Sequence, residues 1–210
     1  MHRGRTERGA VRWTVAIGAV LGIAVVGALA WFLLFRDDGL LGPDVPDFSF
    51  ELDRVKGKGV QGPAGADRLQ GPAEDLRDTL DSFYIAGFID PGKWEDGTFP
   101  EALEAFFGPA AQQARRDLEN LTLGDTSQRV ESVQPKPGLL DVSFLLDGQR
   151  PFAAVASTSF RATGRLQDGG RLSIQHQGEY VMRIVDGVWR IVGYRVEGNL
   201  KPAAGRGEQT

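Results

Sequence analysis

The residue types best suited to chemistry are few. Of the 210 residues only His2 and His176 are histidines, and His176 falls on the apolar register of an alternating run, 171–185. Imidazole titrates near neutral pH, so beside a carboxylate such as Asp78 or Asp81 it could act as a general base. The phenols of Tyr84, Tyr180 and Tyr194 could polarise a carbonyl. Helical spacing, however, puts Asp78 and Asp81 on the wet side, away from Leu76, Leu80 and Phe83. A lone histidine in an apolar register is also the pattern of a hydrogen-bonded core residue. His176 is thus a catalytic candidate without an assembled set around it. Phe83, Tyr84, Trp94, His176, Tyr180 and Trp189 are the candidates to line a pocket, and the tryptophans suit a core equally well.

Other chemistries are excluded by composition. The chain has no cysteine, so it has no disulfide, thiolate metal site or cysteine nucleophile. Two histidines cannot build a multi-histidine metal centre. Glu95, Asp96, Glu101 and Glu104 form an acidic cluster, but it lacks the ligand spacing of a calcium loop and reads as a solvated face. The glycines of 57–65 have no strand before them and no Gly-Lys-Ser after them, so no phosphate loop is present. No cofactor and no metal are expected. Arg115 and Arg116 read as the exposed side of a helix. Asn120-Leu121-Thr122 matches a glycosylation sequon by spacing alone.

Charge is unevenly placed. In residues 1–36, Arg3, Arg5, Arg8, Arg12 and Arg36 against Glu7 give +4; a whole-chain charge of −4 then leaves −8 on the rest. An acidic body without a basic stripe argues against nucleic-acid binding. Between Trp13 and Phe35 no residue is charged, and such a helix would reach roughly 35 Å, enough to cross a bilayer. Arginines before the span place the N-terminus in the cytoplasm. The expected organisation is a basic cytoplasmic tail at 1–12, a transmembrane helix at 13–35, a Gly/Pro-rich linker at 36–71, a folded domain at 72–198 and a disordered tail at 199–210. Cleavage after Ala30, as in a signal peptide, is the competing reading; the run Trp31–Phe35 that follows favours an uncleaved anchor in a single-pass protein of the cell membrane.

The elements that must position His176 follow from periodicity. Pro72 suits a first helical turn, and Leu76, Leu80, Phe83, Gly87 and Phe88 form one apolar face ending at Asp90-Pro91-Gly92. Pro100 opens a short helix bearing Leu103, Phe106 and Phe107, and another helix runs from about Pro109 to Leu121. After Gly124 the period becomes two. Strands are expected at about 127–134, 139–147, 151–166, 171–185 and 188–197, separated by Pro135-Lys136-Pro137-Gly138, Asp147-Gly148, Asp168-Gly169-Gly170 and Asp186-Gly187. Leu172, Ile174, His176, Tyr180, Met182 and Ile184 share one face of the fourth strand. Phe48, Phe50 and Leu52 alternate with polar residues, as in a short strand or an extended segment docked on the domain. Helices first and strands afterwards make the fold α+β: three helices on a curved antiparallel sheet of four to five strands.

The helix ending Phe83-Tyr84-Ile85-Ala86-Gly87-Phe88, two short helices, and a meander closing on Asp186-Gly187-Val188-Trp189-Arg190-Ile191 together resemble the nuclear transport factor 2-like (cystatin-like) cone. With its anchor, the chain also resembles actinobacterial mammalian-cell-entry-associated membrane proteins. The resemblance implies a sheet wrapped around helices, a pocket, and a possible homodimer through the sheet. No catalytic signature of the family's enzymes maps onto this chain. The expected function is therefore a non-catalytic extracytoplasmic domain, not an enzyme, acting through a protein partner as an accessory of a cell-envelope complex. The alternatives are binding of a small apolar ligand, lipid or steroid-like, in the cone, and lyase or isomerase activity through His176.

Overall fold

The computed structural model describes residues 45–58, 63–94 and 97–202. The basic tail, the apolar run 13–35 and the potential cleavage point after Ala30 lie outside these residues. Among the described residues no helix is long and apolar enough to cross a membrane.

The structure is α+β. Strand β1 (Phe50–Gly57) is followed by helix α1 (Pro63–Tyr84), a single π-helical turn (Ile85–Ile89) and a 3-10 turn (Pro91–Lys93). Three short helices come next: α2 (Pro100–Leu103), α3 (Pro109–Arg116) and α4 (Leu118–Leu121), then a 3-10 segment at Gly124–Arg129. The meander is β2 (Val130–Pro135), β3 (Gly138–Asp147), β4 (Arg150–Leu166), β5 (Arg171–Val185) and β6 (Val188–Pro202). The sheet has six strands, ordered β1-β3-β4-β5-β6 with β2 also on β4. Helix α1 packs against both β1 and β6, the two ends of that order, so the sheet curls around it. The register shifts by one residue at Asp53 of β1, Glu131 of β2, Phe152 of β4 and Val192 of β6, and such irregularities help the strands bend. Apart from β1, which precedes the helices, the order of helices followed by a curled meander agrees with the fold implied by the cone resemblance.

Several expectations are corrected. The segment 36–71 is not linker throughout, because Phe48 and Phe50 are buried and β1 joins the sheet parallel to β3, making the sheet mixed rather than purely antiparallel. The helix begins at Pro63, and Pro72 lies inside it. Leu69, Ala73, Leu76, Leu80 and Phe83 are all buried at alternating steps of four and three, so packing carries the helix across the proline. The expected helix 109–121 divides at Asp117 into α3 and α4. Strand β6 continues to Pro202, past the expected domain end at 198, because it pairs with β5 from Val185↔Val188 to Leu172↔Pro202.

The turn chemistry behaves as read. Asp186 and Gly187 have φ of 50° and 82°, the two positive values that a tight hairpin of right-handed twist demands. In β5 the inward residues are Leu172, Ile174, His176, Gly178, Tyr180 and Met182, but Ile184 is exposed near the hairpin tip.

Candidate functional site

The register of β5 and the end of α1 bring one polar cluster into the core. Tyr84, the last residue of α1, points its hydroxyl at the sheet. The hydroxyl lies 2.7 Å from Thr158 Oγ1, 2.8 Å from His176 Nδ1 and 3.1 Å from Tyr180 Oη. His176 Nε2 is 3.2 Å from the carbonyl oxygen of Asn120 on α4. A carbonyl can only accept, so Nε2 carries the proton and Nδ1 is the free lone pair. The Tyr84 hydroxyl therefore donates to Nδ1 and accepts from Thr158 and Tyr180. Each of these side chains is buried.

Around the cluster the core is aromatic. Phe88 stacks on Tyr84 at 5.5 Å and lies 4.8 Å from the imidazole. Phe50 meets Tyr84 edge-on at 4.8 Å, and Phe160 lies 5.1 Å from it. Tyr180 folds back over Gly178, where a Cβ would come within 2.4 Å of its ring. Burial in this environment lowers the pKa of His176 to about 4, the Asn120 contact only partly opposing it. The imidazole is thus neutral at physiological pH. Burial likewise raises the Tyr84 and Tyr180 phenols above their ordinary value. The result is a neutral base of fixed tautomer joined to a protonated phenol, a pair able to pass a proton.

The carboxylate partners expected for His176 are elsewhere. Asp78 is exposed and pairs with Arg77 at 3.4 Å. Asp81 is buried rather than wet, because β1 covers it: it accepts from Ser49 Oγ at 2.6 Å and from the Phe50 amide at 2.9 Å. Burial raises its pKa, while Ser49, the Phe50 amide and Arg77 oppose the rise. Tyr194 turns away to Asp117 Oδ2 at 2.9 Å.

Of the pocket-lining candidates, Phe83, Tyr84, His176 and Tyr180 come together, with Phe83 5.1 Å from Tyr84 and 5.9 Å from Tyr180. Trp94 is buried separately beside Phe99. Trp189 packs on Phe144 and floors a groove of about 510 Å³ between α1, α2 and the β5–β6 hairpin. Phe83 and Ala105 complete that floor, and exposed Ile184 and Val188 lie on its rim. Sequence reasoning missed Thr158 and the Asn120 carbonyl. Thr158 was detectable: it is the one hydroxyl in the inward series Ala154, Ala156, Thr158, Phe160, Ala162. Among the described residues no group of acids and histidines is placed to hold a metal.

No family model matches the sequence, and no curated protein sequence matches it. Among solved structures, the chain is similar to the crystal structure of a hexachlorocyclohexane dehydrochlorinase (LinA, type 2). The identity is 14%, the TM-score 0.41, and the alignment covers 66% of this chain and 93% of that one. Likeness at this level carries no activity from one chain to another.

The expectation of a non-catalytic accessory domain is nevertheless corrected. It rested on a lack of converging polar, ionisable groups, and Tyr84, His176 and Tyr180 converge with Thr158 around one hydroxyl. The expectation that the protein is not an enzyme loses its premise with it.

Proposed function

We propose that the domain is a nuclear transport factor 2-like cone that binds a small molecule with an apolar body and a cationic or hydrogen-bond-donating end. The observation that carries this reading is the groove of about 510 Å³ floored by Phe83, Ala105 and Trp189. Its volume is that of a small-molecule site. Asp75, Asp78, Glu101 and Glu104 line it with Thr79 and Ser82. Asp78 and Glu101 are engaged by Arg77 and Lys93, whereas Asp75 and Glu104 have no ion pair among the described residues. The space around Tyr84 is filled by its neighbouring rings, so the ligand sits in the groove beside Trp189 rather than inside the curled sheet. Saturation-transfer NMR with benzylamine tests the site on the full chain. Transfer is expected in the wild type and loss of it in an Ile184→Lys, Val188→Lys double variant; equal transfer in both overturns the reading.

A second reading is favoured by one specific observation, the neutral His176 with its Nδ1 lone pair turned to the Tyr84 hydroxyl. Such a pair suits proton abstraction by a lyase or isomerase, with Phe83 as the side chain between groove and phenols. Reaction of His176 with diethyl pyrocarbonate at neutral pH tests access. Modification supports the reading, and complete protection removes it.

We also propose that residues 13–35 anchor the protein, leaving the domain on the side of the membrane opposite the arginine-rich tail. Carbonate extraction of membranes and protease protection of intact cells test this. Release of the full-length chain by carbonate, or digestion of the tail in place of the domain, overturns it.

A further inference from the structure

The outward face of the sheet holds a concentration of positive charge that the acidic composition conceals. Arg165 on β4 and Arg171 on β5 stand directly opposite each other across the strands. Like charges in that relation are destabilising. Lys201 on β6, exposed, stands opposite Ser173, two residues along from Arg171. The two arginines line a cleft of about 460 Å³ together with Ser132, Gln134, Thr163 and Gly169. Compensation by acids is partial. Glu131 reaches Arg165 Nε at 3.0 Å, and Asp168 is occupied by Arg129 at 3.3 Å and the Gly170 amide at 2.9 Å. Among the described residues Arg171 has no ion pair and no side-chain hydrogen bond.

We infer that this cleft is an oxyanion site, built to hold a phosphate group between the guanidinium groups of Arg165 and Arg171. Guanidinium forks match the oxygens of a phosphate in pairs. The hydroxyls of Ser132 and Thr163 and the amide of Gln134 supply further donors at the same cleft. A bound anion removes the repulsion between the facing arginines, so the site gains twice by being filled. It lies on the outward face of β2, β4 and β5, independent of the groove proposed for the small molecule and of the Tyr84 cluster.

The test is an NMR titration of the full-length chain with inorganic phosphate and, separately, with glycerophosphoglycerol, a deacylated lipid headgroup, using sodium chloride as the ionic-strength control. Saturable shifts at Thr163, Arg165 and Arg171 are expected with phosphate. Arg171→Gln should bind about tenfold more weakly, as for loss of one charge-assisted hydrogen bond. Arg171→Lys, which keeps the charge but not the fork, should fall between. Equal binding of the diester headgroup assigns the natural source to lipid, and binding of inorganic phosphate alone assigns it to free phosphate. Shifts that do not saturate, or that are the same in Arg171→Gln, overturn the site. Both variants alter an exposed side chain, and a rise in melting temperature with phosphate in the wild type alone provides the second readout.

Discussion

The carboxylate of Asp81 on α1 holds the hydroxyl of Ser49 at 2.6 Å, and its other oxygen holds the amide of Phe50 at 2.9 Å. That clasp fixes the start of β1 against the long helix and places Phe48 and Phe50 in the core. Gly138, opposite Phe50, makes room for it, since a Cβ there would lie 2.8 Å from the Phe50 ring.

Removing the clasp should loosen β1. Asp81→Ala leaves the Phe50 amide without its partner, an expected loss of about 1–3 kcal/mol in urea unfolding. Asp81→Asn keeps an acceptor for that amide and should lose less. The pH dependence has a definite sign. Burial raises the folded-state pKa of Asp81, so the native state binds the proton more tightly than the unfolded chain. Its contribution to stability therefore falls as pH rises through the carboxylate range up to the raised folded pKa. Comparing the pH profiles of wild type and Asp81→Asn between pH 3 and about 7 isolates that fall, which should be missing from the variant.

His176 has the opposite dependence. Its pKa is lowered to about 4 by burial, so the unfolded chain takes up the proton first as the solution is acidified. Stability should decline from about pH 6.5 down to the folded value. Nitrogen NMR of the imidazole should show the Nε2–H tautomer at neutral pH. A protonated ring at pH 6 would contradict the assignment.

Tyr84→Phe removes one oxygen from three contacts at once. The Nδ1 of His176 and the hydroxyls of Thr158 and Tyr180 lose their common partner. Thr158 keeps the Gly178 carbonyl at 3.4 Å, so the expected cost is about 1–3 kcal/mol for each of His176 Nδ1 and the Tyr180 hydroxyl, with incomplete additivity because the groups share one network. A variant as stable as the wild type would show that the cluster relaxes freely.

Gly178→Ala tests the packing of Tyr180. The new Cβ would lie 2.4 Å from the Tyr180 ring, which is fully buried and cannot swing into solvent. Overpacking should cost about 1–3 kcal/mol and weaken the Tyr84–Tyr180 hydrogen bond. Tyrosine absorbance and urea unfolding measure the two effects together.

The sequon at Asn120 should carry no glycan in a glycosylating host. Thr122 is buried, donates to the Leu118 carbonyl at 2.8 Å and accepts from the Gly124 amide at 3.1 Å, while the Asn120 carbonyl serves His176. Intact-mass measurement after expression in such a host checks this.

The sequence by itself determined β3, β4 and β5 to within a residue, because a period of two and Asp-Gly turns are local properties, whereas β2 begins three residues later than its pattern suggests and β6 runs five residues further. It also determined which side of β5 faces inward, and so that His176, Tyr180 and Met182 share an environment. Helical periodicity placed Phe83 on the buried side of α1 but put Asp81 on the wet side, because nothing local reveals that β1 lies over it. Only the tertiary structure decided the partners. Tyr84 and His176 are 92 residues apart, and they meet because the sheet curls until β5 lies under the end of α1. Periodicity fixes the face a side chain presents, whereas the group across from it depends on how separate elements pack. For the same reason His176 gained a phenol and a carbonyl in place of the carboxylate its chemistry suggested, and the groove opened beside Trp189 rather than around Tyr84.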